Sequence, residues 1–274
     1  MERNELHGEK FEAIGIKYEN RMEIIKEALE NGFVAEEYIY NFPDKNCKLI
    51  PLMYPKSNAV QICSLLINNI DNKDENSVES FFPFLEGIEN KMIIQDKITW
   101  SNNIEGEIEV ESEDGNCYSF FAPFYKYNFS NCKIGDYIDV YLSGLAYYIE
   151  NAKDKYKISK GPYYEMELKK YLNDNPKKTK KDFPYATIYA EGSVAVIPTA
   201  ENSLFEYRGK VLDLEYVKFL NKKLAKIKVG LERLNDKDYD KLINVYILEN
   251  KIKKCNLEIG NDIRCLIWLT GYSK

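Results

Sequence analysis

The chain has 274 residues, enough to bury a sizeable core in one to three domains. Its 45% hydrophobic and 30% charged residues are ordinary for a folded globular protein and exclude a low-complexity chain. The formal net charge of −6 hides an asymmetry: residues 1–165 carry 17 Lys+Arg against 29 Asp+Glu, whereas residues 166–274 carry 21 against 15. Such asymmetry marks either a partner-binding half or two halves that attract each other. No apolar run approaches the roughly 20 residues that span a bilayer. The polar N-terminus, Met1 to His7, lacks the apolar stretch of a signal peptide, so the expected location is cytoplasmic, without membrane association.

The 22 Tyr and 13 Phe favour β structure, because aromatic side chains suit a pleated, half-buried surface. Cys47, Cys63, Cys117, Cys132, Cys255 and Cys265 form no CxxC pair and fit no zinc spacing. They are expected to be small buried hydrophobes, with no disulfide framework and no metal.

In chain order, residues 20–31 predict a helix. Asn20 caps it with Glu23 three positions on, Met22, Ile25 and Leu29 share one face, and Gly32 takes a left-handed cap. A short apolar stretch, Leu49 to Met53, follows. A second helix is expected over residues 58–69, with Ile62, Leu65 and Leu66 as its apolar positions. Residues 71–76 read as an exposed loop, and Ser77 as the cap of a short turn before Phe81 to Leu85. Residues 1–90 are therefore a mixed, helix-containing segment.

From Met92 onward the period becomes two. Ile104, Ile108 and Val110 face one way, while Glu105, Glu107, Glu109 and Glu111 face the other. The glutamates read as the solvent face of an edge strand. Asp114-Gly115 is a hairpin turn, Cys117 to Tyr125 an aromatic strand broken by Pro123, and Ile134 to Tyr147 a further strand. Residues 151–200 are a linker. It holds a helix opened by Pro162 and ended by Asn173 to Pro176, then an exposed basic loop of Lys177, Lys178, Lys180 and Lys181, then strand-like alternation. Beyond it, Ala225, Ile227, Val229 and Leu231 alternate with polar residues. A charged turn is expected over 235–240, and Ile243, Val245 and Ile247 with Ile263, Cys265 and Ile267 form inward faces.

Two segments of this pattern repeat. Ile134-Gly135-Asp136 leads into an alternating strand ending at Tyr147, and Ile259-Gly260-Asn261 into one ending at Tyr272. Each is preceded by a strand with an early glycine, Gly106 or Gly209. Short strands that open on a glycine and close on a Gly-turn strand resemble the OB-fold or a related small barrel. The resemblance implies an α+β, β-rich chain: N-terminal segment 1–90, OB-like unit 91–150, linker 151–200 and second OB-like unit 201–274, two consecutive small antiparallel barrels. Barrel closure also removes exposed sheet edges.

No catalytic motif is present. His7, the one histidine, sits near the chain start, a poor place for the positioned imidazole of a triad or a metal site. No phosphate loop or dinucleotide fingerprint occurs, and no cofactor is expected. The expectation is a non-enzymatic binding or adaptor protein that recognises a protein partner. The alternative is a single-stranded nucleic-acid-binding protein. Lys226, Lys228, Tyr246, Arg264 and Trp268, with Asn244, would form its outer face, and the Lys177–Lys181 loop would add phosphate contacts. A third, weaker reading is a carboxylate-dependent hydrolase with two facing acids.

Overall fold

A computed structural model describes residues 7–43, 45–56, 59–70, 76–234, 238–253 and 255–274. The N-terminal segment holds helices α1 (Gly8–Ala13) and α2 (Arg21–Asn31) and strands β1 (Phe33–Val34), β2 (Tyr40–Asn41), β3 (Cys47–Tyr54), β4 (Val60–Asn69) and β5 (Ser77–Leu85). The five strands form one sheet in the order β1-β3-β4-β5, with β2 also on β3.

Three expectations are corrected here. The stretch expected as a helix over 58–69 is strand β4, with Cys63 opposite Met53 on one side and Phe82 on the other. Its first six residues are all buried, and a run that is apolar on both faces does not distinguish helix from strand. Ser77 opens strand β5 rather than a short turn, and Pro83 is tolerated there because β5 is an edge strand. Helix α2 forms where expected, but Asn20 makes no side-chain cap and Gly32 is extended at φ −69°. Gly32 answers a close approach instead: a Cβ there would lie 2.4 Å from the carbonyl oxygen of Ala28. The loop at 71–76 and the turn at 235–240 lie largely outside the described residues.

The rest of the chain supplies β6 (Ile88–Thr99), β7 (Gly106–Glu111), β8 (Cys117–Ala122), the turn α3 (Tyr125–Asn128) and β9 (Tyr137–Asn151). An excursion follows: β10 (Lys155–Ile158), α4 (Pro162–Asp174) and β11 (Ala186–Tyr189). Then come β12 (Ala195–Pro198), β13 (Leu204–Lys210), β14 (Asp213–Phe219), β15 (Lys222–Arg233), β16 (Tyr239–Leu248), the turn α5 (Glu249–Ile252) and β17 (Asp262–Tyr272). Ten of these strands form one sheet, in the order β12-β13-β17-β8-β7-β6-β9-β16-β15-β14.

Segments 91–150 and 201–274 therefore contribute strands to a single sheet. Its two repeated strands, β9 and β17, also pair with each other, antiparallel from Ile263↔Asn151 to Tyr272↔Tyr141. The glycines that open the repeats, Gly135 and Gly260, share a left-handed backbone, at φ +91° and +92°. The β9–β17 pairing makes the path β17-β8-β7-β6-β9 return to its start. A second path runs β13-β17-β9-β16-β15-β14, and Val211 and Leu212 link β13 to β14 along the chain, with no ladder between those two strands among the described residues. In each path one pairing is parallel, β17 on β8 and β16 on β9.

The alternation seen in the sequence assigns the cores. Ile108, Val110, Ala225, Ile227, Val229, Ile243, Val245, Ile247, Ile263, Cys265 and Ile267 all enter one cluster. The opposite face, with Leu145, Leu224, Tyr246 and Trp268, enters a second cluster with Phe11, Ile14, Ile62 and Phe82 of the N-terminal segment. Each fully buried large side chain contributes roughly 1.5–3 kcal/mol, so this N-terminal layer is integral to the fold. Among the described residues, no helix is long and apolar enough to cross a membrane.

Candidate ligand-binding surface

The face read from the sequence as an outer, nucleic-acid face is largely covered. Tyr246 is fully buried, donates its hydroxyl to the Glu86 carbonyl at 2.9 Å, and has its phenol pKa raised by burial. Trp268 is 3% exposed and stacks on Phe121 at 5.2 Å. Neither ring is open to a base, because the N-terminal layer packs over both. Asn244 is also buried and donates to the Glu86 carbonyl at 3.2 Å. Lys226 is ion-paired with Glu86 and Glu215 at 2.9 and 2.8 Å. Burial works against its charge, but the hydrogen bonds it donates to these carboxylates outweigh that and its pKa is raised. Lys228 is half-buried and lines a cleft of about 350 Å³ shared with Glu86, Asp213 and Glu215. Arg264 is exposed but held by Glu206 at 3.0 Å and Glu150 at 3.6 Å. Acceptors thus surround the cations that remain on this face.

The glutamate ladder and His7 also differ from expectation. Strand β7 lies between β6 and β8 rather than at an edge, and Glu105 and Glu107 are buried. Only Glu109 of the four is exposed. His7 is 7% exposed, its Nε2 lies 3.1 Å from Glu105 Oε1, and its ring contacts Phe121 and Trp100 at 4.7 and 5.3 Å. Ser80 donates to the same carboxylate oxygen at 2.8 Å, and Asn102 to the other at 2.7 Å. Asn202 donates to Glu107 at 2.6 Å. A buried carboxylate needs such donors, and here it ties the chain start to β5 and β7. His7 and Ser80 bond to one oxygen rather than to each other, which is not the nucleophile–base contact of a triad. Lys10 adds an ion pair to Glu201 at 2.9 Å, with its ammonium 5.3 Å from the Trp268 ring.

The excursion at 152–190 has the opposite character. It carries ten lysines against five carboxylates. Strands β10 and β11 pair antiparallel, with Lys155 opposite Tyr189 and Lys157 opposite Thr187. Alternation sends Ile158 and Ala186 to the other side, where they pack on Tyr164, Leu168 and Leu172 of α4 and on Phe183. Pro162 occupies the first turn of α4 as expected. The side away from α4 presents Lys155, Lys157, Tyr185 and Tyr189. Tyr189 is 73% exposed and Tyr185 41%. The Lys157 ammonium lies 4.1 Å from the Tyr185 ring and that of Lys155 5.1 Å from the Tyr189 ring. In the basic loop, Thr179 and Asp182 form a capping box. Hydrogen bonds from the Thr179 backbone and hydroxyl hold the Asp182 carboxyl below its usual range. Lys178 pairs with Asp182 at 3.8 Å and Lys180 with Glu165 at 3.6 Å, whereas Lys177 and Lys181 are exposed, without carboxylate partners among the described residues.

One buried side chain fixes this excursion to the large sheet. Arg208 on β13 is 8% exposed and donates to the Ala190 carbonyl at 2.6 Å, the Lys153 carbonyl at 3.1 Å, Ser193 Oγ at 2.9 Å and Asp262 at 3.1 Å. It grips both ends of the excursion, using the planar guanidinium fork that a lysine lacks. Sequence reasoning missed Arg208, Lys155, Lys157, Tyr185 and Tyr189. The signal was present in the Lys155-Tyr156-Lys157-Ile158 alternation, read as part of a helical linker.

Among the described residues no group of three or more His, Cys, Asp or Glu is placed to hold a metal ion. The cysteines are free; Cys63, Cys255 and Cys265 are buried, while Cys117 is exposed. Comparison with protein-family models, curated proteins and solved structures finds no match for this chain.

Proposed function

We propose that this chain is a binding protein whose ligand-facing element is the excursion at 152–190, offered to an anionic partner. The observation that carries this reading is the open face of β10 and β11, where Lys155 and Lys157 of one strand lie beside exposed Tyr189 at the end of the other and Tyr185 just before it, on a ribbon backed by α4. The returning path β17-β8-β7-β6-β9, with the chain link between β13 and β14, supports a finer reading of the scaffold as two OB-like barrels that share β9 and β17. On that reading the middle-strand face an OB-fold ordinarily offers is taken up by the N-terminal layer, and ligand contact has moved to the excursion. The test is retention of the full chain on immobilised heparin at low salt. The wild type is retained, and a variant with Lys155, Lys157, Lys177 and Lys181 all changed to Gln is not. Equal elution of the two contradicts the proposal.

A protein partner on the acidic half is the second reading. Tyr18 and Met22, 75% and 72% exposed, stand about one helical turn apart. Tyr18 lines a cleft of about 670 Å³, together with Glu12, Lys17, Lys222 and Glu249. Exposed aromatic and methionine side chains beside a cleft are common anchors for a partner. Changing Tyr18 and Met22 to Ser should then abolish a stable complex recovered from host lysate, and a complex that survives both changes excludes this surface.

A further inference from the structure

We propose that the open face of the β10–β11 ribbon docks single-stranded nucleic acid, with Tyr185 and Tyr189 stacking on bases and Lys155, Lys157 and the 177–181 loop meeting phosphates. This rests on reading the excursion as the binding element and names its ligand. Three observations converge on it. The rings are exposed although an adjacent helix was available to cover them; α4 packs on the opposite side of the ribbon. An acidic peptide would need the cations but would leave a ring that is 73% exposed without a role, whereas an unpaired base supplies a flat partner for it. Each exposed ring also has a lysine ammonium close by, at 4.1 Å for Tyr185 and 5.1 Å for Tyr189, so ring and cation act on one nucleotide.

Charge selects the ligand in the same direction. The excursion holds twice as many lysines as carboxylates, ten against five, inside a chain of net charge −6. Lys155, Lys157, Lys177 and Lys181 have no carboxylate partner among the described residues. Same-face residues on a strand are about 7 Å apart, so Tyr185 and Tyr189, with Thr187 between them, stand roughly 14 Å apart beside Lys155 and Lys157, which suits an extended strand with its bases turned outward. The ribbon face is open, and α4 lies behind it. A duplex, whose bases are already stacked on each other, gives the rings nothing to hold.

The experiment uses the full chain and fluorescein-labelled oligothymidylate and oligouridylate of about 20 nucleotides, read by anisotropy at about 50 and 200 mM salt. Binding should weaken as salt rises and should be stronger for the single strands than for a duplex of equal length. Tyr185→Ala and Tyr189→Ala should each weaken it at least about fivefold. The Lys155→Gln/Lys157→Gln pair should flatten the salt dependence. All four positions are solvent-facing, and melting curves confirm that the variants stay folded. No binding at low salt, or binding unaffected by loss of both rings, overturns the inference. Retention on heparin without oligonucleotide binding overturns this inference alone and leaves the anionic-partner reading standing. Failure of both removes the excursion as the ligand-facing element.

Discussion

The β15–β16–β17 face and the β10–β11 face are built from the same materials and meet opposite fates. Both set lysine or arginine and aromatic side chains at alternating strand positions. On the first, Tyr246 and Trp268 are sealed beneath the N-terminal layer and Lys226 is pinned between two glutamates. On the second, Tyr185 and Tyr189 stay open, and Lys155 and Lys157 lie beside the rings with no carboxylate partner among the described residues. Strand alternation decides which residues share a face, but another part of the chain decides whether that face sees water. Aromatics over a large sheet are the first to be covered, because covering them contributes the most apolar burial.

The largest effect that separates the two faces is expected at Trp268. Trp268→Ala should cost about 3–5 kcal/mol of stability, read by urea unfolding, since it empties a site between Phe121, His7 and Lys10. A loss below about 0.5 kcal/mol would place the ring at the surface. Arg208→Met should come next. It takes the charge partner from the Asp262 carboxylate and the guanidinium donor from each of the Lys153 and Ala190 carbonyls, at a cost of about 3–5 kcal/mol. Limited proteolysis of that variant should then cut first within 152–190, and an unchanged cleavage pattern would show that Arg208 is not the anchor.

Smaller effects sharpen the comparison further. Glu105→Gln should cost about 1–3 kcal/mol, because the amide cannot accept from His7, Ser80 and Asn102 together. Tyr189→Ala should change stability by no more than about 0.5 kcal/mol while reducing ligand binding, the inverse of Trp268→Ala. Alkaline titration should separate the tyrosines as well. Burial, followed by a hydrogen bond to Glu206, pushes Tyr148 up to about 12, and burial raises Tyr38, Tyr118 and Tyr246 too. A raised folded-state pKa means that the folded chain holds its protons longer than the unfolded one. This stability contribution is complete below about pH 10 and is lost as pH climbs toward the folded value. Ultraviolet titration should show Tyr38, Tyr118, Tyr148 and Tyr246 in a late group that ionises with unfolding.

Much of the fold was legible in the sequence. The alternations at 225–231 and 243–247 identified strands and their inward faces, that at 104–111 identified a strand but not its faces, since Ile104 leaves the Ile108–Val110 cluster and Glu105 and Glu107 are buried, and the Gly135 and Gly260 repeats marked the two strands that pair. Strand β4 was not legible, because a segment buried on both faces loses its period. The pairing of β9 with β17 was not legible either, since a repeat shows likeness and not contact. For the candidate surface, the basic loop at 177–181 was visible. Lys155 and Lys157 were hidden by the brevity of β10, four residues, and the strand-like alternation expected from Tyr185 gave no sign of the pairing with β10 that puts Tyr185 and Tyr189 beside them. The burial of His7 and Glu105 was invisible, because it depends on a chain start folding back over a strand some hundred residues away.

The most direct measurement is hydroxyl-radical footprinting of the free protein, with side-chain oxidation quantified residue by residue. The account predicts rapid oxidation of Tyr189 and Tyr185 and strong protection of Tyr246, Trp268 and Trp100. Protection of Tyr185 and Tyr189 at the level of Tyr246, or free oxidation of Trp268, would contradict it.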